Sequence, residues 1–158
     1  MAYQTPTAFP LFRDNYRPEI NHYPVQVPDI KSGAEYYFET ESGLKYQVIF
    51  ARKKNNYLEH IINFSVLSEE FEDEYSETNR GEIYRVIATL IEIIRIFHQQ
   101  HASSTSYEFS GEFKQGNEAR KISIRTMLYY RKAREILHPG WELESQGNKV
   151  VVRHLKEK

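Results

Sequence analysis

The sequence predicts one α+β domain, with two helices packed on a mainly antiparallel, mixed sheet and an extended proline-rich arm in front. Three observations predict this. Aromatic and β-branched residues alternate with polar ones in six short segments, the period of strands with one buried face. Apolar residues recur at threes and fours in two longer segments, the period of amphipathic helices. Five of the six prolines fall within the first 28 residues, ahead of any regular pattern.

The 158 residues suit one domain and suffice for a core without metal or disulfide staples. There is no cysteine, so disulfides, thiolate metal sites and a cysteine nucleophile are excluded. That composition fits a reducing compartment, and the cytoplasm is the expected location. A net charge of −1 gives no global attraction to nucleic acid or to an anionic membrane. The apolar runs are too short to span a bilayer, and the first residues lack the basic start and apolar stretch of a secretory signal.

Residues 1–30 form the arm. Pro6, Pro10, Pro18, Pro24 and Pro28 push their predecessors toward extended geometry, with Tyr3, Phe9, Phe12, Tyr16 and Tyr23 interleaved. Aromatics at that density imply a chain laid over a surface, its own or a partner subunit's; the alternative is a partly disordered tail. The α+β domain then occupies 31–158. Tyr36–Thr40 and Leu44–Arg52 read as a hairpin turned at Ser42-Gly43, and Ile62, Phe64 and Val66 mark a third strand. An acidic stretch from Glu69 to Glu77 reads as a solvated loop.

Ile83, Val86, Ile87, Leu90, Ile91, Ile94 and Phe97 form one stripe of a helix from Arg80 to about Gln99, with Asn79 as its cap and Glu82 as the reciprocal partner. A fourth strand follows around Tyr107, Phe109, Gly111 and Phe113. A second helix, capped by Asn117, is expected to run to Leu137 and stop at His138-Pro139-Gly140. Ile122, Tyr129, Ala133 and Ile136 line its apolar face. Trp141–Glu144 and Lys149–Leu155 close the chain as a hairpin across Gln146-Gly147-Asn148. The order is β-β-β-α-β-α-β-β, and two helices covering apolar strand faces make a layered sandwich.

Few residues point to chemistry. His98 and His101 have a chelating spacing, but no third ligand completes a set, so they read as solvated helix-end histidines and no metal is expected. Gly-x-Ser-x-Gly is absent, and nothing selects two carboxylates from the many. Asn79-Arg80-Gly81 leads into the first helix, where free N–H groups and the helix dipole can hold an anion, with Arg80 or Arg85 adding charge. Capping alone also accounts for it. Arg120, Lys121, Arg125, Arg131, Lys132 and Arg134 make the second helix basic, a patch for phosphates or an acidic partner, with Tyr129 and Tyr130 available for stacking. The alternative is a solvated face whose long stems cover the sheet edge.

Arg125-Thr126-Met127-Leu128-Tyr129-Tyr130-Arg131 resembles the Arg-Thr-x-Leu-Tyr-x-Arg stretch of small proteins of unknown function from Bacteroidetes and phages. The segments Tyr84–Ile91 and Tyr107–Ser110 resemble the helix and strand that precede that stretch, so the resemblance spans residues 35–155 and omits the arm. It implies no function. In element order the chain also resembles the second half of GNAT acyltransferases. That resemblance implies acyl-CoA as cofactor, phosphate held by Asn79, Arg80 and Gly81, and Tyr129 as the acid that protonates the departing thiolate. The turn departs from that family's pattern, since Arg80-Gly81-Glu82-Ile83 has a single glycine.

These observations favour a non-catalytic interaction module without cofactor, self-associating as a homodimer through the arm or a sheet edge or binding a protein partner. The alternatives are a GNAT-like acyl-CoA-dependent transferase and a nucleic-acid binder using helix 118–135.

Overall fold

A computed structural model describes residues 9–18, 20–30, 33–66, 80–110, 124–146 and 149–155. Its strands are β1 (Glu35–Glu39), β2 (Lys45–Lys53), β3 (Asn56–Val66), β4 (Ser106–Ser110), β5 (Trp141–Gln146) and β6 (Lys149–His154), and its helices are α1 (Arg80–Gln100) and α2 (Ile124–Ile136). They follow the predicted order. The strands form one sheet in the order β1-β2-β3-β4-β6-β5. Every pairing is antiparallel except β3 with β4, where Glu59–Ile62 lie parallel to Ser106–Phe109 across the α1 crossover.

The first hairpin turns where expected. Thr40 and Leu44 close it, and Gly43 takes φ 91°, a left-handed conformation that side-chain-bearing residues avoid. The second strand pair differs from the sequence reading. β3 starts at Asn56 rather than near Ile62, because Lys54-Asn55 makes a tight turn without glycine.

Alternation sets two faces. Tyr36 and Phe38, Tyr46, Val48 and Phe50, Ile62 and Phe64, Tyr107 and Phe109, and Val150 and Val152 point to one face and are buried. The helices cover that face. Aromatic rings carry the packing across strands: Phe38 stacks on Tyr46 at 4.9 Å and Tyr46 on Phe64 at 5.1 Å, with Tyr23 of the arm at the near end. A second group joins Phe50 to Phe97 of α1 at 3.8 Å and meets Tyr107, which in turn stacks on Trp141. Each well-placed ring pair adds about 0.5–1.5 kcal/mol beyond the area it buries.

The outward face carries Glu35, Lys45, Gln47, Lys53, Glu59, Glu108, Lys149 and Arg153, and no described element covers it. Glu108 sits there between Lys53 at 3.0 Å and Lys149 at 3.5 Å. Partial burial alone would raise its carboxyl, but the two ammonium groups outweigh this and hold it below the usual carboxylate range.

The described part of the arm lies over its own domain. Gln26 exchanges backbone hydrogen bonds with Tyr37 and so lines the outer edge of β1. The Tyr23 backbone N–H donates to Thr89 Oγ1 at 2.8 Å, and Leu11 and Tyr23 are buried. α1 is therefore enclosed between sheet and arm. Ile87, Leu90 and Ile91 face inward as predicted, and Ile94 packs against the core. Ala88, Thr89 and Ile93, outside the predicted stripe, are buried as well.

Candidate functional site

Tyr129 lies 4% exposed on α2, its ring edge-on to Phe64 at 6.0 Å and to Phe109 at 5.3 Å. Both rings sit near the carboxyl ends of β3 and β4. Tyr129 also lines a narrow, almost wholly apolar cavity of about 50 Å³ between α1, α2 and the sheet, with Leu11 and Phe12 of the arm on its wall.

Arg80 and Gly81 are the first two residues of α1 itself. Asn79, and with it the cap and the predicted anion-holding turn, lies outside the described residues, as do Arg120 and Lys121. Arg85 is engaged elsewhere: its guanidinium pairs with Glu41 at 3.0 Å and lies 4.1 Å from the centre of the Tyr23 ring. On α2, whose residue Arg125 falls within the helix, Arg131 and Arg134 are exposed, and Lys132 approaches Glu135 at 3.6 Å.

The densest collection of polar side chains was not legible in the sequence. It lies where the end of α1 meets the starts of β3 and β4. His98, expected in solvent, is 8% exposed. Its Nε2 lies 2.6 Å from the Phe9 carbonyl and its Nδ1 2.6 Å from the Tyr107 hydroxyl. A carbonyl only accepts, so Nε2 carries the hydrogen and donates; Nδ1 of the neutral ring then accepts from Tyr107. Burial pushes the pKa of His98 below its ordinary value, although the Phe9 hydrogen bond works against this.

His60 Nδ1 lies 2.8 Å from Ser104 Oγ, and that hydroxyl donates to the Leu58 carbonyl at 3.2 Å. The His60 pKa falls to about 4, through burial first and then through the charges of His101, Arg52 and His98. His101 stacks on Phe97 at 4.0 Å, and His154 meets the Phe9 ring at 4.1 Å and Trp141 edge-on at 5.2 Å.

Such a set suggests catalysis at first sight, but the environment argues otherwise. A serine nucleophile needs access, and Ser104 is 2% exposed with its hydroxyl bonded to backbone. A general base works best near the ambient pH, far above the value of His60. Among the described residues no group of side chains is arranged to hold a metal ion. The cluster ties the arm, α1, β3 and β4 together.

The β5 edge is the other candidate. The Leu155 N–H donates to the Gly140 carbonyl, which fixes the alternation along this pair. Leu143 and Ser145 therefore turn their backbone groups away from β6. Glu142 and Glu144 project from the outward face beside that edge, Glu144 at 3.6 Å from Arg153.

Compared with protein-family models, with curated proteins and with solved structures, the chain has no match. Among the described residues no helix is long and apolar enough to cross a membrane.

Proposed function

We propose that the protein is a non-catalytic binding module that takes up an extended segment of a partner protein along β5. The observation that carries this reading is the placement of polar groups. The clustered histidines, Ser104 and Tyr107 are bonded within the core, whereas the Leu143 and Ser145 backbone groups of β5 point to the rim of the sheet and make no backbone hydrogen bond to any described residue. A strand added there gains main-chain hydrogen bonds, and its alternate side chains are read by the neighbouring surface. Glu142 and Glu144 favour a segment with Lys or Arg on its outward side. A second copy fits less well, because two-fold pairing of β5 about Leu143 sets Glu142 opposite Glu144, and like charges directly opposite are destabilising. The cysteine-free composition supports a cytoplasmic setting.

The test uses a displayed library of extended peptides and amide shifts of the labelled protein. Enriched binders with alternating basic residues that move the Leu143 and Ser145 amides support the reading. Ser145→Pro removes one edge donor at a position where proline is tolerated, and it should abolish binding while leaving the melting temperature unchanged. Binders that map elsewhere overturn it. A dimer in sedimentation that Ser145→Pro dissociates replaces the partner segment with a second copy.

One observation favours a GNAT-like transferase as a second reading. The parallel pair flanks the α1 crossover, and Tyr129 rests at the carboxyl ends of its strands. Against it, Tyr129 is enclosed by apolar side chains. Coenzyme A titrated into the protein and into Gly81→Asp and Tyr129→Phe decides the matter. Micromolar binding lost in Gly81→Asp, with acetyl transfer lost in Tyr129→Phe, would establish the transferase. Salt-sensitive retention of DNA or RNA would instead support a role for α2 in nucleic-acid binding.

A further inference from the structure

The first described residues of the arm cross the molecule on a small number of bonds, some of them to the histidines themselves. The Phe9 N–H donates to the Ala102 carbonyl, and the Phe9 carbonyl accepts from His98 Nε2. The Pro10 carbonyl accepts from Trp141 Nε1 at 2.7 Å. The Leu11 carbonyl accepts from the His138 N–H at 2.9 Å, and the Arg13 N–H donates to the Ile136 carbonyl at 2.8 Å. Beneath this crossing Leu11 and Phe12 line the apolar cavity between α1 and α2.

We propose that residues 9–13 are an acid-released strap: protonation of the histidines beneath it frees Phe9–Arg13 from the domain and uncovers the apolar cleft between α1 and α2. The groups that face the cluster come from every element around it. His98 and His101 come from α1 and the residue just beyond it, His60 from β3, Tyr107 from β4, His154 from β6, and Arg52 from β2. His138 stands near His154 across Gly140. The charged groups bearing on His98 are His101 and His154, and those bearing on His60 are His101, Arg52 and His98; none is a carboxylate.

Charging His98 and His60 therefore places positive charge on buried rings beside His101, His154 and Arg52, with no carboxylate among the described groups that bear on them. On His98 the added proton goes to Nδ1, which faces the Tyr107 hydroxyl at 2.6 Å and now needs an acceptor there. That hydroxyl has to reverse its bond inside the core. Relief requires water, and the element with the fewest bonds to lose is the strap. The sheet and α1 are held by continuous ladders and stay in place.

Trp141 is the only tryptophan, and its indole bonds to the strap, so its fluorescence reports release directly. Between pH 6.5 and 4 the emission should move to the red and a hydrophobic dye should bind, with far-UV circular dichroism retained. The Arg13 and His138 amides should lose their native shifts while that of Phe109 keeps its own. His98→Gln keeps a donor for the Phe9 carbonyl and removes the titration, so its midpoint should fall by about half a pH unit or more. Leu11→Ala loosens the strap without touching a histidine, and its midpoint should rise. Emission that changes only together with the loss of circular dichroism overturns the proposal. So does a His98→Gln midpoint equal to that of the unmodified protein; if that variant does not fold, an unmoved Leu11→Ala midpoint is decisive in the same way.

Discussion

His60 and Thr89 show how single polar side chains are made safe in this core. The neutral ring of His60 hydrogen-bonds to Ser104, and burial holds its pKa at about 4 against an ordinary 6.5. A base whose folded pKa is depressed binds fewer protons folded than unfolded. Its contribution is thus fully present above about pH 6.5 and is lost as pH falls toward 4, a total of about 3 kcal/mol. Urea unfolding at pH 7 and pH 5 should show about 2 kcal/mol of that loss, above the window in which ordinary carboxylates titrate. His60→Gln should flatten the dependence; an equally steep one would remove His60 as its source. Thr89 Oγ1 donates to the Arg85 carbonyl and accepts from the Tyr23 N–H. Thr89→Val keeps the shape and strands a buried donor, so it should cost about 1–3 kcal/mol in chemical denaturation. Neither role was legible in the sequence. His60 depends on Ser104, 44 positions away, and Thr89 on Tyr23 at a separation of 66. Periodicity within one element carries no information at that distance.

At the scale of elements, α1 separates what the pattern could give from what it could not. The stripe of Ile87, Leu90 and Ile91 follows from the helical repeat, because one face meets the sheet. Ile93 is 0% exposed although the predicted stripe omitted it, because it stands one turn from Leu90 and from Phe97, on the side of the helix where Phe97 stacks on Phe50 of the sheet. Ile91→Ala and Ile93→Ala should each cost about 2–5 kcal/mol, the range for truncating a buried aliphatic side chain. Tyr84→Ala, at a site 60% exposed, should stay within about 0.5 kcal/mol. A denaturation midpoint for Ile93→Ala matching that of Tyr84→Ala would mean that Ile93 is not packed in the core. The first and last hairpins were legible from the Ser-Gly and Gly-Asn pairs that separate their strands in the sequence. The start of β3 was not, because the Lys54-Asn55 turn has no glycine, and because His60, a polar residue, takes an inward position while Ile61 takes an outward one. The acidic stretch and the start of the second helix lie outside the described residues.

For the molecule as a whole, a six-stranded sheet with helices on one face would leave α1 half open. The arm closes it, running from the β1 edge at Gln26, over Thr89, to the cavity mouth at Leu11 and Phe12. The sequence showed that so many aromatics needed cover; whether that cover was this domain or a partner's was not legible, since proline and aromatic content do not identify the surface beneath. The candidate sites divide likewise. Tyr129 was legible as part of the apolar face of its helix, whereas the histidine cluster and the β5 edge emerge only once the strands are ordered. The central claim is that the arm is a structural layer of its own domain, and deleting residues 1–28 tests it most directly by thermal melting with light scattering. Loss of Leu11 and Tyr23 alone removes about 3–6 kcal/mol of apolar burial, so the truncated protein should melt well below the full chain and scatter as aggregates. A truncated protein that melts at the same temperature and remains monodisperse would contradict the account.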